Sequence, residues 1–151
     1  MAQFINIEDY DASVHHEILN ALTRADDAIA EICEDRAISE MKSYLSVRYD
    51  VDRIFSMTGN DRHPLVLMFA LDITIFHLFC IHNPQKLSQI RKDRYDRAIE
   101  WLKSIASGKI DLSASSDGHG GMTDFKITDE ESVNHRANYL MRSNTKRTNH
   151  Y

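Results

Sequence analysis

The run Leu65–Ile81, LVLMFALDITIFHLFCI, constrains the fold more than any other part of the chain. Fourteen of its seventeen residues are apolar, so a helix formed by this run has no broad polar face. A helix of that kind must be covered by other elements on nearly every side. The sequence therefore predicts that this run is the central helix of a helical bundle.

A membrane-spanning helix is the other structure that such a run can form. As a helix it would be about 25 Å long, whereas the hydrocarbon core of a bilayer is about 30 Å thick. It also carries an ionisable residue, Asp72, near its middle, where a charge is costly in lipid. Both observations favour a buried core helix, and we expect no membrane association.

Asp72 needs a partner if the central helix is buried, because an unpaired carboxylate is expensive to remove from water. The central helix contains no Lys or Arg, so the partner must come from another element. We expect it to be Arg48, at the end of the preceding predicted helix. The hydroxyl groups of Tyr44 and Tyr95 are alternative partners, and a solvent-filled gap beside Asp72 is a further alternative.

The composition is that of an ordinary globular protein with long helices. Of 151 residues, 42% are hydrophobic and 27% are charged, which is enough for one domain with its own core. Only five Gly and two Pro interrupt the chain. We predict an all-α fold: a compact bundle of about four helices over residues 1–112, followed by an extended C-terminal tail over residues 113–151.

Capping signals and apolar periodicity predict the first two helices. The first begins after Asn6, which forms a capping box with Asp9. Its apolar face is Tyr10, Val14, Ile18, Leu19 and Leu22. The second runs from about residue 24 to about residue 48, with Thr23 as its cap. A short turn that contains Val51, Ile54 and Phe55 follows.

Prolines and one glycine predict the other two helices. The central helix begins near His63 and Pro64, because Pro is favoured in the first turn of a helix. The fourth runs from about residue 84 to about residue 107 after Asn83 as its cap. Gly108 lies where a helix ends in a left-handed conformation.

The tail differs from the body in composition. Its first part, SASSDGHGGMTD, is typical of a linker, and few apolar residues follow it. We expect four apolar anchors and three cations to dock on a partner: Phe125, Ile127, Leu140, Met141, Arg142, Lys146 and Arg147. The segment 124–128 alternates like an edge strand, and residues 128–141 have the spacing of a short amphipathic helix. A tail that folds back on its own body is the alternative.

No motif in the chain indicates catalysis or a cofactor. His77, Cys80 and His82 lack the spacing of a metal site, and GHGG at residues 118–121 lacks the strand and helix of a phosphate-binding loop. Cys33 and Cys80 are expected to be free thiols in a reducing compartment. The net charge of −5 argues against a general nucleic-acid-binding protein.

Three motifs resemble a known family: YLSVRY at residues 44–49, FALDITIFHL at residues 69–78, and DRYDRAIEWLKSIASGKIDL at residues 93–112. Together they resemble Mu-type phage and prophage head-to-tail connectors, also described as head completion or neck adaptor proteins. The matching positions, which the resemblance implies to be chiefly fold-forming, are Tyr44, Leu45, Arg48, Tyr49, Asp72, Tyr95, Trp101, Leu102 and Gly108.

The resemblance implies a structural virion protein without catalytic activity. Similar proteins form a ring, commonly of twelve copies, between the portal protein and a stopper or tail-completion protein. DNA passes through the ring without sequence-specific binding. The implied location is the neck of the virion, after assembly in the host cytoplasm.

The sequence leaves two other functions open. A small cytoplasmic helical regulator or protein-binding module, which captures a partner through its tail, would be a monomer or a dimer. A metalloenzyme that uses His77 and Cys80 is a weaker alternative, and elemental analysis would test it. The mass of the native particle distinguishes a monomer or dimer, which these two functions predict, from a connector ring of many copies.

Overall fold

Five α-helices and two short 3₁₀ helices make up the part of the chain that a computed structural model describes, residues 4–24, 26–82, 85, 87–110 and 112. The α-helices are α1 (His16–Thr23), α2 (Asp27–Leu45), α3 (Val51–Phe55), α4 (Pro64–His82) and α5 (Gln89–Ala106). The 3₁₀ helices are Ile7–Ala12 and Gly59–Asp61. These described residues include no strand, and the four longer helices pack on one another. The predicted all-α bundle is confirmed.

Helix α4 lies at the centre of the bundle, as predicted. It packs against α1, α2 and α5, and the consecutive residues 69–75 are all buried. Seven consecutive helical residues point in every direction around the axis, so α4 is covered on all sides here. By length and hydropathy α4 could also cross a membrane, but half of its most apolar window is buried inside the protein. That burial is what a core helix requires.

The three polar residues of the run Leu65–Ile81 each have a partner. Thr74 donates its hydroxyl hydrogen to the carbonyl oxygen of Ala70, one turn earlier, at 2.8 Å. His77 contacts Glu40 of α2, and Asp72 accepts a hydrogen bond from α5. The apolar run therefore tolerates polar residues because Thr74 bonds within α4 and the other two contact neighbouring helices.

Arg48 does not pair with Asp72, so that prediction is wrong. Arg48 donates to the carbonyl oxygen of Ile105 at 3.4 Å, in the last turn of α5. The final carbonyl groups of a helix lack partners within the helix and attract cations. The cations next to Asp72 are instead Arg94 and Arg97.

The first predicted helix is two shorter ones. The chain forms a 3₁₀ helix after Asn6, whose backbone N–H donates to Asp9 at 2.7 Å, and it leaves the helical conformation before α1. The carbonyl of Ser13, within this break, accepts a hydrogen bond from Arg91 of α5. The break changes the helical register, so Ile18 is 44% exposed although four of its predicted companions are buried: Tyr10, Val14, Leu19 and Leu22.

Helix α2 is shorter than predicted at both ends. It begins at Asp27 because the side chain of Asp26 accepts a hydrogen bond from the N–H of Ala28 at 3.0 Å. Thr23 is not the cap, since its hydroxyl donates to the carbonyl of Leu19 within α1. The helix ends at Leu45, and α3 follows where the short packed turn was expected.

Helix α5 begins later than predicted. Its cap is Ser88, whose side chain accepts a hydrogen bond from the N–H of Arg91, whereas the predicted cap, Asn83, lies outside the described residues. Its end agrees with the prediction, because Gly108 has a φ of +79°. Only glycine adopts that conformation without steric cost.

A specific contact joins Leu112, the last described residue, to Tyr49, which lies between α2 and α3. Leu112 is 4% exposed, and its backbone N–H donates to the hydroxyl oxygen of Tyr49 at 2.9 Å. Tyr49 itself is fully packed, at 1% exposed. This contact fastens Leu112 to the helical body, and the predicted division at residue 112 stays a prediction.

We expect Tyr49→Phe to lower the free energy of unfolding by about 1–3 kcal/mol, because the buried N–H of Leu112 loses its acceptor. Thermal or urea unfolding measures the change. Tyr44→Phe, at a half-buried position of α2, is the size-matched control. Equal stabilities for the two variants would show that the Tyr49 hydroxyl does not hold the end of the body.

Candidate docking groove

A groove of about 430 Å³ opens between the 3₁₀ helix Ile7–Ala12, the first half of α4 and the middle of α5. Its apolar lining is Ala12, Pro64, Leu67, Met68 and Leu71. Its polar lining is Glu8, Asp9, Ser13, Asp72, Arg94 and Arg97. The groove therefore combines an apolar floor with charged side chains, and we call it the α4–α5 groove.

Asp72 lies at the base of the α4–α5 groove and has an unusual environment. Its side chain is 2% exposed, Oδ1 lies 3.4 Å from Nη1 of Arg94, and Oδ2 lies 3.8 Å from Nη2 of Arg97. Oδ2 has no hydrogen-bond partner among the described residues. Burial raises the pKa of Asp72, and the positive charges of Arg94, Arg97 and Arg91 oppose this rise without cancelling it.

The arginines beside Asp72 are the accessible cations of the groove. The side chains of Arg94 and Arg97 are 43% and 59% exposed. Arg97 also lies over the ring of Phe69, with its guanidinium carbon 5.7 Å from the ring centre. A guanidinium group has five N–H donors, so one contact with Asp72 leaves donors for a second acceptor. The site can therefore bind a carboxylate beside an apolar group.

A second polar cluster joins α2, α4 and α5. The hydroxyl of Tyr95 donates to Glu40 at 2.8 Å, and His77 lies 3.2 Å from the other oxygen of Glu40. The ring of Tyr95 stacks on Phe76, with ring centres 4.0 Å apart. Burial, the hydrogen bond to Glu40 and its negative charge raise the pKa of Tyr95. This cluster satisfies polar groups between helices, and its contacts are those of a structural network.

The predicted fold-forming residues all lie in the described helical body, and their role stays a prediction. Leu45 and Leu102 are fully buried, and Trp101 packs on Phe69 with ring centres 4.5 Å apart. A Cβ atom on Gly108 would lie 3.4 Å from the side chain of Arg48, so these two positions meet at the end of α5. The remaining fold-forming positions are Tyr44, half-buried on α2, and the three described above: Tyr49, Asp72 and Tyr95.

The seven predicted docking residues of the tail lie outside the described residues, so their role stays a prediction. The sequence reasoning missed Arg94 and Arg97, although both belong to the quoted motif DRYDRAIEW. Their spacing of three residues places them on one face of a helix, which was the available signal. It could not show that this face lies against Asp72.

Comparison with known protein families gives a match over most of the chain. The model of a family described as Bacteriophage Mu, Gp36 matches residues 4–121. No curated protein and no solved structure matches the chain.

Proposed function

The chain belongs to the Bacteriophage Mu Gp36 family, and from this premise we propose that it is a head-to-tail connector subunit of a tailed phage. It acts as a structural protein. Its copies form a ring that joins the portal on one side to a stopper or tail-completion protein on the other. The family match carries the proposal, because it covers the whole helical body and the start of the tail. The proposed location is the neck of the virion, after assembly in the host cytoplasm.

The helical body suits an adaptor. A subunit that transmits contacts between two partners must keep its shape, and α4 is enclosed by α1, α2 and α5. His77 and Asp72 of the central helix each contact a neighbouring helix, which restricts the relative positions of those helices. We propose that residues 1–112 are the rigid core domain and that the protein performs no catalysis.

The tail suits a docking arm. It leaves the body beyond Leu112, which is tied to Tyr49, and begins with a linker rich in Gly, Ser and Asp. Repetition of a modest contact around a ring produces high overall affinity. We propose that residues 113–151 dock on a neighbouring protein. Its cations Arg142, Lys146 and Arg147 would meet an acidic partner surface.

The charge of the chain supports passage of DNA. Each copy carries a net charge of −5, and a ring multiplies that charge. A negatively charged channel wall repels the phosphate backbone, so DNA slides past it without sequence-specific binding.

Deletion of residues 113–151 tests this function. We expect the truncated chain to remain folded, with a helical circular dichroism spectrum and cooperative unfolding, and to lose its ability to complete phage particles. Particle yield in a phage that lacks the native gene is the measurement, and light scattering reports the oligomeric state of the full chain.

A matched control replaces Arg142, Lys146 and Arg147 with Ala in the full chain, which removes the cations but keeps the arm. We expect a smaller loss of particle yield from this variant than from the deletion. A truncated chain that still completes particles would refute the docking arm. A full chain that stays monomeric or dimeric in particles and in solution would favour the cytoplasmic regulator instead.

A further inference from the structure

We infer that the α4–α5 groove receives the acidic segment 124–131, DFKITDEE, from a neighbouring copy of this chain. The inference rests on the proposed docking arm and identifies its acceptor site. Each subunit then offers one groove and one arm, which is the arrangement that a ring with head-to-tail contacts requires.

The groove offers an apolar floor and two accessible arginines to an apolar and acidic peptide. Of the carboxylates in its lining, Asp72 contacts both arginines, Asp9 is paired with Arg62, and Glu8 lies exposed at the edge. Its floor includes Leu67, Met68 and Leu71, and Met68 remains 37% exposed although it belongs to the most apolar helix of the chain. Arg94 and Arg97 stand at its side with more than two fifths of each side chain exposed. Asp72 holds both guanidinium groups near the groove, so their remaining donors are positioned for a second carboxylate.

The segment 124–131 matches that site in pattern and charge. Phe125 and Ile127 are two residues apart, so in an extended conformation they share one side and can enter the apolar floor. Asp129, Glu130 and Glu131 follow directly and provide the carboxylates for the arginines. The later part of the arm carries only cations among its charged residues, so it lacks this complementarity.

The occupant is a neighbouring copy because the connector proposal places many copies around one axis. If each arm docks in the groove of the next copy around the ring, every groove and every arm is equivalent. Closure of the ring then fills all of the grooves. The linker between Leu112 and the segment covers residues 113–123, which as an extended chain spans up to about 36 Å. Self-docking is therefore the competing arrangement, and the experiment must separate the two.

Two charge-reversed variants of the full chain test the inference. The groove variant is Arg97→Glu, chosen because Arg97 is the more exposed arginine and lies 3.8 Å from Asp72. The arm variant replaces Asp129, Glu130 and Glu131 with Lys. We expect each variant to associate at least about tenfold more weakly than the native chain, because like charges then face each other in the complex. Analytical ultracentrifugation measures the association, and circular dichroism verifies that each variant is folded.

The matched control is Lys103→Glu, which reverses an exposed charge on α5 outside the groove lining. We expect it to associate like the native chain. If Lys103→Glu weakens association as much as Arg97→Glu does, the groove has no specific role. If Arg97→Glu is folded and associates normally, the inference is overturned.

The native chain itself separates docking on a neighbour from self-docking. Docking on a neighbour predicts that the native chain associates as its concentration rises. It also predicts that a mixture of the two variants regains association, because the arm of the groove variant and the groove of the arm variant are both unaltered. Self-docking predicts a native chain that stays monomeric, and this result would overturn the inference. The connector proposal is tested independently, since deletion of residues 113–151 can abolish particle formation while both charge variants still assemble.

Discussion

Leu102→Ala should lower the free energy of unfolding by about 3 kcal/mol, which is a large part of the stability of a domain of this size. Leu102 lies on α5 and its side chain is 0% exposed in the common core of the bundle. Truncation removes buried apolar surface and leaves a cavity that rigid helices fill incompletely. Chemical denaturation monitored by circular dichroism measures the loss.

Leu65→Ala is the matched control for this prediction. Leu65 is also a helical leucine, in the first turn of α4, but it is 46% exposed. Its truncation should cost well under half as much, because less buried surface is lost and no closed cavity forms. If both variants lost the same stability, Leu102 would not occupy a closed core position.

Arg62→Ala should lower the free energy of unfolding by about 3 kcal/mol, because it removes one partner of a largely buried ion pair. Arg62 contacts both carboxylate oxygens of Asp9, at 2.5 and 3.1 Å, and the two side chains are only 9% and 16% exposed. It also donates to the carbonyl oxygens of Phe4 and Gly59, each at 2.8 Å. One side chain thus connects the N-terminal segment to the loop before α4.

A double-mutant cycle with Asp9→Asn isolates the ion pair from the other contacts of Arg62. We expect the double variant to be more stable than the sum of the two single losses predicts, since each single change leaves the other group without its partner. Additive losses would show that Arg62 acts through the carbonyl groups alone.

The same pair predicts a dependence of stability on pH. Burial raises the pKa of Asp9, but hydrogen bonds from Arg62 and the Asn6 backbone and the charge of Arg62 outweigh it, so the pKa is lowered below 3.8. A lowered pKa adds stability above pH 3.8, and this stability is lost as the pH falls through the folded-state value. Arg62→Ala should weaken this loss in acid. An unchanged acid profile would contradict the role of the pair.

Local patterns predicted the elements of the fold well where a single physical signal dominated. The start of α4 at Pro64 and the left-handed Gly108 after α5 each follow from the backbone chemistry of one residue. The first helix was predicted less well, since its apolar spacing continues across a break where Arg91 binds the carbonyl of Ser13. That contact joins residues far apart in the chain, so a local pattern cannot predict it.

The candidate site was harder to predict than the fold. The sequence placed Asp72 in the core and favoured a cation as its partner, and both statements agree with the structure. The choice of Arg48 failed because it relied on position at a helix end, where that arginine binds the carbonyl of Ile105. The direction of α5 along α4 decides instead that Arg94 and Arg97 face Asp72.

By itself the sequence determined that the chain is helical, that residues 65–81 lie at its centre, and that their polar residues need partners. These properties depend on residues that are close together in the sequence, so the sequence alone is enough to predict them. Only the tertiary structure decided which partners those are and that a groove with two exposed arginines opens beside Asp72. Such features arise where helices distant in sequence meet, because their relative rotation depends on the packing of the whole core.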